Sequence, residues 1–329
     1  MKRIVYDAFG EPARVLRIDE GAALTPGPDE VVIGLEAAPI HLADLKGITG
    51  QPWFTNVSFP AVPGYEGVGH IKAVGSAVGG VKIGQRVFLP VGYGAWTEEM
   101  RALAADLWFP PQHISAEQLA LIPINLPTAY LMLTTYIAPR IGDWVIQNAA
   151  NSNVGYYLIR IARKLGLRTV NIVRRESAVP EVEALGGDIT LVDGPDLAAR
   201  VRHAIGNERL RLAIDAVGGS ATTRLAECLD NDDAKVVCYG FLSGQPCEMP
   251  GERLIFRDVE LTGFFMKRTL SKFTRTQIAD MRTWINAFLA DEPPNAKIAG
   301  VYTFDQIAAA VTHAAQVKEA RAGKIILKP

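Results

Sequence analysis

Apolar and polar positions change rhythm near residue 118. Before it, short β-type runs stand at VVIGLEAA (31–38), GHIKAVG (69–75) and GQRVFLP (84–90). Turn signals separate them at Thr25-Pro26-Gly27-Pro28-Asp29, Pro63-Gly64 and Gly79-Gly80. Many short strands with frequent Gly and Pro predict an antiparallel, barrel-like β domain. After residue 118, strand-like apolar runs alternate with helical patterns: DWVIQNA, GYYLIRIARKLG, TVNIVR, a helix around 179–185, DITLV, LAARVRHAIG, RLAIDAV, TTRLAECL, KVVCYG and VELTGFF. That alternation predicts a parallel sheet covered by helices on both faces. Six strands are expected there, the complement of a full dinucleotide-binding fold. Two helical segments (276–290 and 305–318) and a final strand (324–328) follow. The expected division is a β-rich domain from 1–120 with 267–329 and an α/β domain from 121–266.

Composition narrows the class. Of 329 residues, 49% are hydrophobic and 21% charged, an ordinary globular balance. Lys plus Arg total 34 against 35 acidic residues, a formal net charge of −1. That gives no electrostatic reason to expect nucleic acid or an anionic membrane as partner. No apolar stretch approaches the ~18 residues of a membrane span, and MKRIVYDAFGEP lacks the apolar core of a signal peptide. Cys228, Cys238 and Cys247 are too few and too clustered for a disulfide framework. They fit a reduced cytosol, so a cytoplasmic enzyme acting on a small molecule is expected.

The segment GDWVIQNAANSNVGYYLIRIARKLG joins a buried strand to an amphipathic helix through a small polar turn. The glycine fingerprint of such turns is G-x-G-x-x-G; here its positions hold Ala150, Ser152 and Gly155. Small side chains still let backbone approach a pyrophosphate at the helix N-terminus, where free N–H groups and the dipole favour anions. Gly155 would let helix and strand pack closely. About 20 residues on, an acid would bind a ribose 2′-hydroxyl, whereas arginine would accept a 2′-phosphate. TVNIV runs into Arg174 and Arg175, whose guanidinium groups can grip phosphate bidentately. The expected cofactor is NADPH.

With these features the chain resembles the medium-chain dehydrogenase/reductase family, in which a GroES-like β domain is joined to a Rossmann-type domain. Zinc-bearing members carry a cysteine before x-x-D, a G-H-E-G segment and a later cysteine. The matching segments here are His41-Leu42-Ala43-Asp44, Gly64-Tyr65-Glu66-Gly67 and Ile124-Asn125. Lacking the cysteines and the histidine, the chain is expected to hold no metal, with His41 lining a pocket. NLPTAY (125–130), DWVIQNAANSNVG (143–155), VCYGFLSGQP (237–246) and LIFRDVELTGFF (254–265) look like the trans-2-enoyl-CoA reductase branch.

That resemblance implies Asn125 and Thr128 at the nicotinamide and Asn151, Ser152, Asn153 and Val154 at the pyrophosphate. It also implies Tyr239, Gly240, Phe241, Leu242, Phe264, Phe265 and Met266 around the nicotinamide, and Lys324 approaching from the last strand. Adjacent residues of a strand face opposite ways, so one of Phe264 and Phe265 is expected in the core.

The enoyl reductase branch carries a tyrosine in the loop that here reads Gly50-Gln51-Pro52-Trp53-Phe54; Pro52 and Trp53 stand at its place and bear no hydroxyl. Pro63-Gly64-Tyr65-Glu66-Gly67 instead looks like zinc-free quinone oxidoreductases. The expected activity is hydride transfer from NADPH to an activated C=C bond (2-enoyl thioester, enone or enal) or a quinone. Tyr65 is the candidate proton or hydrogen-bond donor. Trp53, with Phe54 and Phe59, would form an apolar mouth for substrate. Lys267, Arg268, Lys272 and Arg275 form a basic run that could meet the phosphates of an acyl-CoA. The competing reading is a non-catalytic NADPH-binding redox sensor or storage protein. By resemblance, the strand around 258–265 would pair across a two-fold axis into a homodimer.

Overall fold

The computed structural model describes residues 1–51, 57–92, 94–230, 233–316 and 323–329. The chain divides into two compact units, Met1–Ile124 with Ala279–Pro329, and Asn125–Ile278. Residues 267–278 therefore cluster with the α/β unit.

In the first unit the strand Glu30–Pro39 is the organising element. It pairs antiparallel with Val68–Val74 on one side and with Glu99–Leu103 along its first half. The end of the same strand also pairs antiparallel with Lys324–Lys328. The outer strand Ile298–Thr303 runs parallel to that last strand, so the sheet is mixed rather than wholly antiparallel. Its alternating apolar residues meet in one core that includes Ile33, Leu35, Ile71, Val87, Trp96 and Ile325. The helix Ile307–Ala315 closes this core with Ile307, Ala310, Val311 and Ala314. The spacing of these four residues, three, one and three apart, puts them on one face.

In the second unit all six expected strands form one parallel sheet. Its order is Val259–Gly263, Ala234–Cys238, Leu210–Asp215, Trp144–Gln147, Arg168–Val173, Ile189–Val192. Numbered along the unit this is 6-5-4-1-2-3, the doubly wound dinucleotide-binding order, with its switch point between the first and fourth strands. The helix after the strand Trp144–Gln147, Asn153–Lys164, buries Tyr157, Leu158, Ile159, Ile161 and Ala162 and ends on Arg163 and Lys164, where cations suit the helix dipole. Gly155 shows why this turn needs a glycine: a Cβ there would stand 2.4 Å from the carbonyl oxygen of Ala150.

Candidate active site

The strand Trp144–Gln147 is fully buried, yet two amides close it. Gln147 donates to Asn171 Oδ1 of the neighbouring strand at 2.8 Å and to the Gly155 carbonyl at 3.2 Å. Asn148 donates to Asp215 Oδ1 at 2.6 Å and accepts from the Ala216 N–H at 2.7 Å. Asp215 also receives the Val217 and Gly218 N–H groups and the Thr222 hydroxyl. These bonds rivet the first strand to the fourth at the switch point, so the turns after both strands are held rigid. The local signal for this rivet is the amide pair Gln147-Asn148 ending an apolar strand.

Beyond that rivet the backbone turns through Ala149 at φ +50. Ser152 caps the helix, its hydroxyl accepting the Gly155 N–H at 3.1 Å. Asn151 is exposed, while Ser152, Asn153 and Val154 are half-buried. Asn153 Nδ2 is buried with no hydrogen-bond partner. A buried donor without an acceptor, beside free helix N–H groups, fits a phosphate oxygen.

Tyr239 reaches the same turn, with Ser152 as hydrogen-bond partner, and its hydroxyl is buried enough to push its pKa up to about 12. Gly240 lies hard against the fourth strand's turn; a Cβ there would meet the Ala216 carbonyl at 2.8 Å. Phe241 and Leu242 are exposed. Phe264 is 9% exposed and Phe265 60%, so the two face opposite ways just past the end of the strand Val259–Gly263. Met266 is buried and its sulfur lies 4.0 Å from the hydroxyl of Thr128, which with Asn125 is also buried. At the end of the second strand, Arg174 is exposed and Arg175 half-buried.

The other expected residues lie in the β-rich unit. His41 precedes the helix Leu42–Ile48 and forms a capping box with Asp44. Asp44 Oδ2 accepts the His41 N–H at 2.6 Å, while Oδ1 is buried without a partner. Burial raises the Asp44 carboxyl to about 6 against the pull of the His41 charge and N–H. His41 Nε2 lies 2.6 Å from Glu66 Oε1, and Glu66 Oε2 accepts the Ile124 N–H, also at 2.6 Å. Between Gly64 and Glu66 stands Tyr65, half-buried, its hydroxyl pKa raised by burial and then by the nearby Asp44 and Tyr6. Phe59 packs edge-on against Tyr6 and Phe9, with centroids 5.6 and 5.1 Å away. Lys324 opens the last strand. Trp53, with Pro52 and Phe54, lies outside the described residues. Of the basic run 267–275, Arg268 is engaged by the Gly263 carbonyl at 2.8 Å, and all four cations are exposed.

Two family models match the chain: an alcohol dehydrogenase GroES-like domain over residues 27–108 and a zinc-binding dehydrogenase domain over 153–285. Among curated relatives, the mitochondrial enoyl-[acyl-carrier-protein] reductase of Caenorhabditis elegans is 37% identical, covering 81% of this chain and 78% of that protein. Its counterpart in Dictyostelium discoideum is 34% identical, covering 82% and 79%. A putative NADPH:quinone reductase from Bacillus thuringiensis superposes with TM-score 0.90 at 25% identity, covering 100% of this chain and 98% of that one.

One expectation changes. The cytoplasmic location is overturned by relatives whose names place them in mitochondria. Few, unpaired cysteines mark a reducing compartment and do not single out the cytosol. Zinc, which the second family model names, meets a donor set that does not fit it. All three cysteines lie in the α/β unit, and in the β-rich unit both oxygens of Glu66 are already held, one of them by His41. Among the described residues, the one metal-like trio is Asp215, Cys238 and Cys247, where Asp215 is committed to Asn148, Thr222 and two backbone donors. The chain is a nicotinamide-dependent oxidoreductase of the medium-chain dehydrogenase/reductase family, in the branch that holds enoyl reductases and quinone reductases.

Proposed function

We propose that the chain is a zinc-independent, NADPH-dependent reductase of an activated C=C bond (a 2-enoyl thioester, enone or enal) or of a quinone. The observation that carries the reading is the second strand of the α/β unit ending in Arg174 and Arg175, with no acid in the ribose-binding position. An acid there would repel a 2′-phosphate; two guanidinium groups attract it. The orphaned Asn153 Nδ2 and the Ser152-capped helix N-terminus supply the pyrophosphate end. The Caenorhabditis relative's name supports the enoyl acceptor, and the Bacillus neighbour's name supports NADPH and the quinone.

Bound NADPH supplies a hydride to an electron-poor carbon conjugated with a carbonyl. The protein's task is to hold donors where negative charge develops on the carbonyl oxygen. Tyr65 is suited to this: its raised pKa keeps the hydroxyl protonated across the physiological range, so it donates a hydrogen bond or a proton. His41, which Glu66 holds, is assigned to the substrate, and Trp53 is assigned to it on residue type alone. By resemblance, Asn125, Thr128, Tyr239 to Leu242 and Phe264 to Met266 are assigned to the nicotinamide and Lys324 to the cofactor. The exposed edge strand Val259–Gly263, beside exposed Ile255 and Phe256, is the surface for a homodimer, which sedimentation of the purified protein tests.

The test of function is NADPH consumption over 2-enoyl thioesters, enals, enones and quinones. Turnover of one or more acceptors is expected. Tight NADPH binding with no turnover of any would favour a non-catalytic sensor.

A further inference from the structure

The turn after the strand Ala234–Cys238 brings two thiols together. Cys238 ends the strand, and the chain loops through Tyr239–Pro246 to return with Cys247, whose sulfur lies 3.4 Å from that of Cys238. Backbone bonds hold the loop in this shape. Leu242 N–H donates to the Ala216 carbonyl at 3.0 Å, Ser243 N–H to Val217 at 2.9 Å, and Gly219 N–H to Pro246 at 3.1 Å. Both cysteines are half-buried and free, whereas Cys228 is buried and its thiol is pushed up to about 12 by that burial. The Cys238 thiol donates to Asp215 Oδ2 at 3.6 Å and so has an acceptor at hand for its proton.

We propose that Cys238 and Cys247 are a redox pair that closes to an intramolecular disulfide under oxidising conditions and restrains the loop 239–246 between them. The sulfurs must approach from 3.4 Å to the bond length of about 2.05 Å. With a small disulfide such as oxidised glutathione as oxidant, the half-buried Cys247 attacks first, expelling one glutathione thiol and forming a mixed disulfide. Cys238 then gives up its proton and attacks the Cys247 sulfur, expelling the second. Two protein thiols are oxidised, one glutathione disulfide is reduced to two thiols, and the two protons leave with them. Burial and the Asp215 charge hold the Cys238 thiol well above its ordinary pKa, so it stays protonated and attacks only after Cys247 has been captured beside it.

The consequence for the cofactor rests on the function proposed above. The loop carries Tyr239, Gly240, Phe241 and Leu242, assigned to the nicotinamide. Gly240 has no slack against Ala216, so drawing the two sulfurs together displaces Tyr239 and the exposed Phe241–Leu242 tip. The oxidised form is expected to bind NADPH about tenfold more weakly, recovering on reduction.

The experiment treats the full chain with oxidised glutathione. Free thiols are then counted, non-reducing peptides are mapped by mass, and NADPH binding is titrated before and after reduction. The expected result is loss of two of the three thiols, a 238–247 cross-link lighter by two hydrogens, and reversible loss of affinity. Cys247→Ser should abolish the cross-link and leave affinity insensitive to the oxidant, and Cys238→Ser should do the same. Stable separate glutathione adducts, or two thiols that stay free, would overturn the pair. Cross-linking with unchanged affinity would overturn its coupling to the cofactor. If the reduced protein bound no NADPH at all, the cofactor reading would fall, and the cross-link would still be decided by mass.

Discussion

His41 and Glu66, twenty-five positions apart in sequence, meet at 2.6 Å, and the second oxygen of the same carboxylate holds the N–H of Ile124. Ile124 lies in the first turn of the helix Ile122–Thr135, where an unpaired N–H welcomes a negative charge. Glu66 thus works as a structural clamp between a strand approach, a helix start and an imidazole. Glu66→Ala should cost about 3 kcal/mol in urea unfolding, because the buried carboxyl and the two hydrogen bonds it holds vanish. Dialysis against a chelator should leave activity unchanged. A loss restored by zinc would contradict the zinc-independent reading.

Asp44 gives a pH signature. Its carboxyl rises from 3.8 to about 6 on folding because it is buried. Below the lower value both states hold the proton and it contributes nothing. Between the two, the folded state keeps a proton the unfolded state has lost, so stability falls as pH rises. Above about 6 the deficit is constant, on the order of 3 kcal/mol. Asp44→Asn keeps an acceptor for the His41 N–H and removes the charge. Its unfolding free energy should exceed the wild type's at neutral pH, and the acid-side slope should flatten. An unchanged slope would show that another group sets it.

Tyr65→Phe removes the assigned donor while keeping the ring that fills its half-buried position. The expected outcome is a fall in kcat of about 10²-fold with NADPH affinity unchanged, the range of a lost acid or oxyanion contact. Unchanged turnover on enones and quinones would remove Tyr65 from the chemistry.

Much of this could be read from the chain. The six alternating strands, the Ser152–Gly155 turn and the final strand 324–328 all stand where period and punctuation put them, because each is a local pattern. The opposed facing of Phe264 and Phe265 also followed from a local rule. The Glu66–Ile124 clamp did not, since it joins residues 58 apart through one oxygen. The Asn148–Asp215 rivet spans 67 positions, and only sheet order reveals it. Cys238 and Cys247 read in sequence as two of three clustered reduced thiols, and only the folding back of the loop between them pairs their sulfurs. The mixed sheet of the β-rich unit escaped for the same reason: nothing local marks Ile298–Thr303 as parallel to its neighbour. Location was misjudged because cysteine count reports redox state and no address.

The most direct test of the account is the ratio of kcat/KM for NADPH to that for NADH, with one productive acceptor, in the wild type and in Arg174→Ala/Arg175→Ala. Charge-assisted bonds to a 2′-phosphate are lost only with NADPH. The wild type should therefore favour NADPH by about 10²-fold, and the double variant should lose most of that preference while its NADH rate holds. A wild type that prefers NADH, or a double variant whose preference for NADPH is intact, would contradict it.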